Sequence, residues 1–423
     1  MSRDNIPGMR MIFVDKEKIA WYANYGYADI SKKIKVDSET VFAGASSSKP
    51  ITAIIALKLC EEGKLGLDEN INNWLSGWQI PENDATRNKK VSLLYLLSHT
   101  AGLDRKNWSE YSPEDSIPSL TQMLKGEKPS VDKGFLFINE PGKTFKYSNT
   151  GYLIVQKAIE DVTGKAFADV AGQYIFTPLN MHRTSFSQPI PPKLFPYKAT
   201  GYSSNLKPFP YKIYPFEAAG GIWTTPDDLG KFIIALIKDY KKGTNLILSE
   251  NMTQHVFNKG QDVDKLAFPL WNWKNDIVFR HTGHINGFTS FIFGSVTNEQ
   301  ALIVMTNGEN TQDLFDYLQR TVAKEYNWEY MQPEFFTPIK INSATLRRYT
   351  GTFDWEGKYL AVTREGEKLF IQINSELYDL TPVGENLFLV SEKSLKIYYP
   401  EDKPQMIQIW KANGDLSEAH KIN

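Results

Sequence analysis

Ser46-Ser47-Ser48-Lys49-Pro50-Ile51-Thr52-Ala53-Ile54-Ile55-Ala56-Leu57-Lys58-Leu59-Cys60-Glu61-Glu62-Gly63 is the stretch from which the rest of the chain can be read. From Ile51 to Glu62 it is apolar on nearly every side, and a helix apolar all round lies in the middle of a domain. Gly63 suits the stop of such a helix, and Pro50 fits only in its first turn. Ser46 is therefore expected at or just before the start of a buried helix, with Lys49 on the same side one turn along. There the lysine can hydrogen-bond the serine hydroxyl. If burial or another cation keeps Lys49 partly unprotonated, it can take the serine proton. The positive end of the helix favours a developing oxyanion.

S-x-x-K alone is a weak signal, and Ser46 would then read as an incidental N-cap. Ser130…Lys133 and Ser204…Lys207 repeat the spacing in polar or proline-rich loops, and neither opens an apolar helix. Further along, Ser92 reads as the N-cap of a helix over Leu93 to Ser98, closed by His99-Thr100-Ala101-Gly102. Helical periodicity runs from Tyr152 to Val162 and ends at Gly164. Thr225-Pro226-Asp227-Asp228 opens a helix that continues through Leu229 to Ile237. Residues 9–14 and 19–27 read as a strand pair, and Ile277 to His281, Phe288 to Phe293 and Ala301 to Thr306 as three more strands. Thr311 to Tyr326 reads as a helix, and residues 186–216 as a long surface excursion.

The composition changes after Pro333. Short alternating strands follow at Tyr359–Thr363, Lys368–Ile373, Leu377–Leu380, Leu387–Val390, Lys396–Tyr399 and Met406–Lys411, which predicts a small β-barrel or sandwich. The fold expected is mixed α/β (α+β). A β-domain fills 334–423.

The chain has 423 residues, 41% apolar and 23% charged, an ordinary globular composition. With 48 Lys plus Arg against 49 Asp plus Glu, a net charge of -1 gives no reason to expect nucleic acid or an anionic membrane as partner. No run approaches the ~20 apolar residues of a membrane span. MSRDNIPGM carries no signal-like apolar run, so the sequence as it stands reads as cytoplasmic; with an export signal removed the same text would read as periplasmic or secreted. The single cysteine, Cys60, excludes an internal disulfide and a cysteine-rich zinc site, and is expected as a small core residue. His281 and His284 sit three apart on a strand and so point to opposite faces, which argues against a metal site.

Two further elements join Ser46 and Lys49. Tyr147-Ser148-Asn149 follows Glu140-Pro141-Gly142, and His281-Thr282-Gly283 lies at the end of a strand. S-x-x-K, then Y-S-N, then H-T-G resembles the serine β-lactamase-related family, on the branch of class C β-lactamases, D-Ala-D-Ala carboxypeptidases, D-aminopeptidases and family VIII carboxylesterases. Leu96 to Leu103, Asn149 to Tyr152, Pro178 to Met181, Ala219-Gly220-Gly221 and His281 to Phe288 carry the likeness over most of residues 5–325. The β-domain resembles the lipocalin-like extension of some members. For residues 1–333 the family resemblance implies an antiparallel sheet from the two ends, with helices on its faces and a helical subdomain over roughly 64–215.

The resemblance implies a serine hydrolase with small-molecule or peptide substrates and neither metal nor organic cofactor. Ser46 would be acylated, while Lys49 and Tyr147 would share general-base work and Tyr147 would return a proton to the leaving group. The N–H groups of Ser46 and His284 would form the oxyanion hole. Asn149 would position Lys49 or the substrate amide, and His281, Thr282 and Gly283 would lie on the substrate side. Relatives with Lys at the position of His281 gain a fixed charge for a substrate carboxylate; neutral His loses it, which ranks peptidase or esterase activity above β-lactam hydrolysis. The alternative is a penicillin-recognising binding or sensor protein that acylates without turnover. His99 is expected to fix a turn, and the sequence leaves the oligomeric state open.

Overall fold

The structure, a computed structural model, describes residues 4–257, 266–273, 276–328, 336–355, 357–373, 375–390, 395–410 and 416–422. The chain divides into two compact units, Met1–Phe315 and Asp316–Asn423. The boundary expected at 333/334 lies outside the described residues, as does Lys411.

In the first unit, β1 (Gly8–Asp15), β2 (Lys18–Asp29), β3 (Ile34–Lys35), β6 (Leu270–Trp273), β7 (Asp276–Ile285), β8 (Phe288–Ser295) and β9 (Gln300–Thr306) form one sheet. Its order is β3-β2-β1-β9-β8-β7-β6, antiparallel throughout. β1 thus lies beside the last strand of the unit, from Met9↔Thr306 to Asp15↔Gln300. β4 (Phe42–Ala45) and β5 (Ile222–Thr224) make a separate two-stranded ladder.

The helices of this unit include α1 (Ser48–Glu61), α2 (Leu93–Leu97), α3 (Leu120–Lys125), α4 (Asn149–Thr163), α5 (Phe167–Ala171), α6 (Glu217–Gly220) and α7 (Pro226–Lys242). Almost every residue of α1 is buried, as its all-round apolar text requires. Pro50 falls in its first turn, where no intrahelical N–H is needed. Cys60, expected in the core, is half-buried, and burial pushes its thiol up to about 12. At α7, Thr225 accepts a hydrogen bond from the Asp228 N–H, Pro226 opens the first turn and Gly243 ends the helix in the left-handed conformation. α7 lies so close on β1 that a Cβ at Gly230 would come within 2.5 Å of Ile12 Cδ1. Beneath its first turn the buried Arg10 guanidinium grips Asp227 through two bonds of 2.5 and 2.6 Å and donates to Asn24.

β7 runs four residues beyond the expected end at His281. Phe288 to Ser295 is buried along its whole length and pairs with it as far as Ile285↔Phe288. The two-residue turn Asn286-Gly287, with Gly287 at φ +73, makes that possible. Thr282 and Gly283 carry no apolar alternation, so the sequence stops the strand short.

The second unit holds a closed eight-stranded antiparallel barrel, from Gly351–Trp355 to Leu416–Lys421. Phe353, Val362, Ile371, Phe388, Ile397 and Ile409 pack its inside. The two strands not foreseen in the sequence are the ones that close it, Phe353 facing Lys421 and Asp354 facing His420. Their charged and small residues hide the alternation. Among the described residues no helix is long and apolar enough to cross a membrane.

Candidate active site

β4 ends at Ala45 with φ +48, a left-handed backbone that costs a non-glycine residue about 1–2 kcal/mol. The chain reverses there through Ser46 and Ser47 and enters α1. Each hydroxyl of the serine run has a separate task. Ser48 Oγ donates to the Ala45 carbonyl at 2.7 Å and accepts the Ile222 N–H at 3.1 Å. Ser290 Oγ on β8 donates to the Gly44 carbonyl at 2.8 Å, so it receives the proton of Ser47 Oγ, also 2.8 Å away. Ser47 and Ser48 are fully buried, whereas Ser46 stays half-buried. The turn rests on the sheet at Gly283, where a Cβ would meet Gly44 O at 2.3 Å, Ser290 Oγ at 2.4 Å and Ser46 N at 3.0 Å.

Lys49 is fully buried. Its Nζ donates to Ser46 Oγ at 3.0 Å and to the Ala219 carbonyl of α6 at 2.6 Å. The ring centroids of Tyr147 and Tyr152 lie 4.9 and 5.6 Å from it. Among the described residues no carboxylate pairs with this amine. Burial pushes its pKa down; the Tyr147 hydroxyl opposes that, and the charge of Arg105 adds to it. Glu217, two residues before Ala219, offers no compensating charge at neutral pH, because burial, with Glu160 and Asp169 nearby, pushes its carboxyl up to about 8.

Tyr147 precedes Ser148, the N-cap of α4, whose Oγ accepts the Gly151 N–H at 3.3 Å. His99, at φ +60, holds both flanks of Tyr147: its carbonyl accepts the Lys146 N–H at 2.8 Å and its Nδ1 accepts the Ser148 N–H at 3.1 Å. Its ring packs at a tilt against Tyr147, with centroids 4.4 Å apart, and against Tyr152 at 5.3 Å. An accepting Nδ1 places the imidazole proton on Nε2. Burial, then the charges of Lys49 and His281, keep its pKa well below 6.5. The turn expected at His99 is thus also the clamp on Tyr147. Asn149 Nδ2 donates to the Lys106 carbonyl at 2.9 Å. The exposed Arg105 beside it carries its guanidinium 5.7 Å over the Tyr147 ring.

Along β7 the faces alternate: His281 and Gly283 are buried, Thr282 and His284 exposed. His281 Nδ1 donates to the Thr282 carbonyl at 3.1 Å. Burial, followed by the charge of Lys49, pushes its pKa down to about 3 against that bond, so the ring is neutral. β6 pairs with β7 only over Asp276–Phe279, and from His281 to Ile285 the outer edge has no strand beside it among the described residues.

Ser46, Lys49 and Tyr147 therefore meet around the lysine amine, with Gly283 beneath the serine. Asn149 faces the neighbouring loop, and the His284 side chain is exposed. Sequence reasoning missed the Ala219 carbonyl, Ser290 and Arg105; the last follows directly on the His99 to Asp104 turn, the one local hint of its place. Among the described residues no group of three or more His, Cys, Asp or Glu is gathered as for a metal ion.

A family model described as Beta-lactamase matches residues 1–326. Penicillin-binding protein 4* of Bacillus subtilis (strain 168) is 25% identical over 409 residues, 90% of this chain and 87% of its own length. Protein flp of Staphylococcus aureus (strain NCTC 8325 / PS 47) is 25% identical over 337 residues, which is 76% of this chain but 64% of that longer protein. The structure of the octameric penicillin-binding protein homologue from Pyrococcus abyssi shares the fold, with a TM-score of 0.61 and 18% identity over 100% of this chain and 97% of that one.

Proposed function

The chain belongs to the beta-lactamase family, and from that premise we propose that it is a serine hydrolase working through an acyl-enzyme on Ser46, with peptide amides, including those of D-amino acids, or small esters as substrates. The observation that carries this reading is the Lys49 amine: buried, without a carboxylate partner among the described residues, and 3.0 Å from Ser46 Oγ. An ammonium so placed is costly to desolvate, and burial pushes its pKa down, which favours the neutral amine that a general base needs.

In the neutral amine the lone pair takes the place of the N–H now directed at Ser46 Oγ. Lys49 then accepts the serine proton as Oγ adds to the substrate carbonyl. The tetrahedral oxygen is received by the N–H groups of Ser46 and His284, where a donor of this kind is typically worth about 3–4 kcal/mol. Tyr147, in contact with Lys49 and held by His99, passes a proton to the leaving nitrogen or oxygen, and the C–N or C–O bond breaks to leave the acyl-serine. Water, deprotonated by the same pair, cleaves the ester and returns the proton to Ser46. The exposed Thr282 lines the approach, Asn149 ties the Lys106 loop to the start of α4, and Gly283 admits the serine turn to the strand.

The test is labelling of the pure protein by a fluorophosphonate and by a fluorescent penicillin, beside Ser46→Ala. Labelling that disappears in Ser46→Ala supports a reactive serine at 46, and steady turnover of an acylated peptide or ester separates hydrolysis from a stoichiometric burst that stops. Labelling that survives in Ser46→Ala, or no labelling of the wild type by either probe, refutes the reading.

A further inference from the structure

We propose that Arg105 is the residue that anchors a substrate carboxylate at this site, a role that His281 does not fill; the inference rests on the acyl-transfer reading above. His281 stands where some relatives carry lysine, but it is buried and its pKa is down near 3, so it brings no charge to the strand. Lys49 is enclosed and committed to Ser46 and Ala219. Lys106 lies 4.0 Å from Asp132 and over the Trp108 ring. Arg105 is exposed, its charge reaches Lys49, and among the described residues no carboxylate lies within salt-bridge distance of it.

Its placement is fixed from both sides. The Asp104 N–H donates to the Leu136 carbonyl at 3.0 Å, and the Lys106 carbonyl accepts from Asn149 at 2.9 Å. The guanidinium rests over the Tyr147 ring, which leaves the N–H fork at its rim free for two parallel bonds to a carboxylate. Tyr147 is the group assigned to the leaving atom, so a carboxylate held beside it belongs to the leaving part of the substrate. The favoured substrate is then an acylated residue with a free C-terminus, released as an amino acid.

The test uses N-acyl-D-alanyl-D-alanine and its C-terminal amide with wild type, Arg105→Gln and Arg105→Lys. Because Arg105 also depresses the Lys49 pKa, the acid-to-amide ratio of kcat/KM is the readout, in which that shared effect cancels. Arg105→Gln should lower the ratio roughly tenfold, mainly through KM, the low end for a charge-assisted hydrogen bond since the side chain faces solvent. Arg105→Lys should recover part of it. Calorimetry of both peptides with Ser46→Ala, with and without Arg105→Gln, reads the anchor without acylation. If the acid binds Ser46→Ala more tightly than the amide and Arg105→Gln removes that preference, the anchor stands even where Ser46 labelling fails. Intact labelling with an acid-to-amide ratio unchanged by Arg105→Gln, or no preference of Ser46→Ala for the acid, overturns the anchor and leaves the nucleophile in place.

Discussion

Gly283→Ala tests whether the sheet fixes the serine turn. The backbone at 283 is ordinary extended strand, so alanine meets no conformational penalty of its own. The added methyl would sit 2.3 Å from Gly44 O, 2.4 Å from Ser290 Oγ and 3.0 Å from Ser46 N. Carbon contacts relax near 3.5 Å, so strand and turn must part by roughly 1 Å. Ser290 cannot rotate away without losing both Gly44 and Ser47. Overpacking of this kind costs about 1–3 kcal/mol of stability, and a shift of 1 Å at a reacting group costs on the order of 10²-fold in rate. The expected result is fluorophosphonate labelling of Ser46 slowed about a hundredfold while the chain stays folded. Gly63→Ala is the control: it has open space around it but φ +68, so it strains the backbone by about 1–2 kcal/mol and leaves labelling alone. Labelling of Gly283→Ala within threefold of wild type at unchanged stability would refute the argument that contact with β7 sets the position of the nucleophile.

His99→Leu removes the acceptor for the Ser148 N–H and the polar ring packed against Tyr147; acylation should fall at least tenfold, with His99→Asn recovering part, and equal rates in all three proteins would remove His99 from the site. The labelling rate should climb with pH as Lys49 loses its proton and level off below 10.5, its ordinary value; a rate still rising through that pH speaks against a depressed lysine. Acid should destabilise the fold. His281 has a pKa of about 3 folded and 6.5 free, so between these the unfolded chain carries a proton that the folded one lacks, and stability falls as pH drops, by about 1.4 kcal/mol per unit for such a group. Denaturant unfolding at pH 7, 6 and 5 should show a slope that is shallower in His281→Gln; identical slopes would count against a neutral buried imidazole.

What was legible in the sequence was local. Ser46 and Lys49 are three residues apart at the entry to a helix whose text is unmistakably interior, and Tyr147-Ser148-Asn149 marks a helix start. The strand pair over residues 9–27, the later strands of the first unit and the barrel-or-sandwich character of the last ninety residues followed from alternation and turns. Contacts made across long separations were not legible. His99 reaches Tyr147 through a turn 48 residues earlier in the chain, and the Ala219 carbonyl is a backbone atom that no side-chain motif announces. His281 read as a residue on the substrate side; it lies on the buried face of β7 that also presents Gly283 to the serine turn, close enough to Lys49 and His99 to feel and exert charge there, and only packing reveals that. Arg105 is invisible for the same reason: one arginine in a polar loop means nothing until Tyr147 lies under it.

The central seat of β1 beside β9 has a consequence for how the protein comes into being. A ribosome delivers Ser46 and Lys49 early, but Gly283 and Ser290, against which their turn is wedged, and the strand that completes the sheet at Thr306 emerge far later. Such long-range closure makes folding slow and postpones order. Until the chain has grown past Ser290, the serine turn lacks the strands it rests on. The pair proposed to react thus reaches its final setting only once the late strands that carry Gly283 and Ser290 have been made.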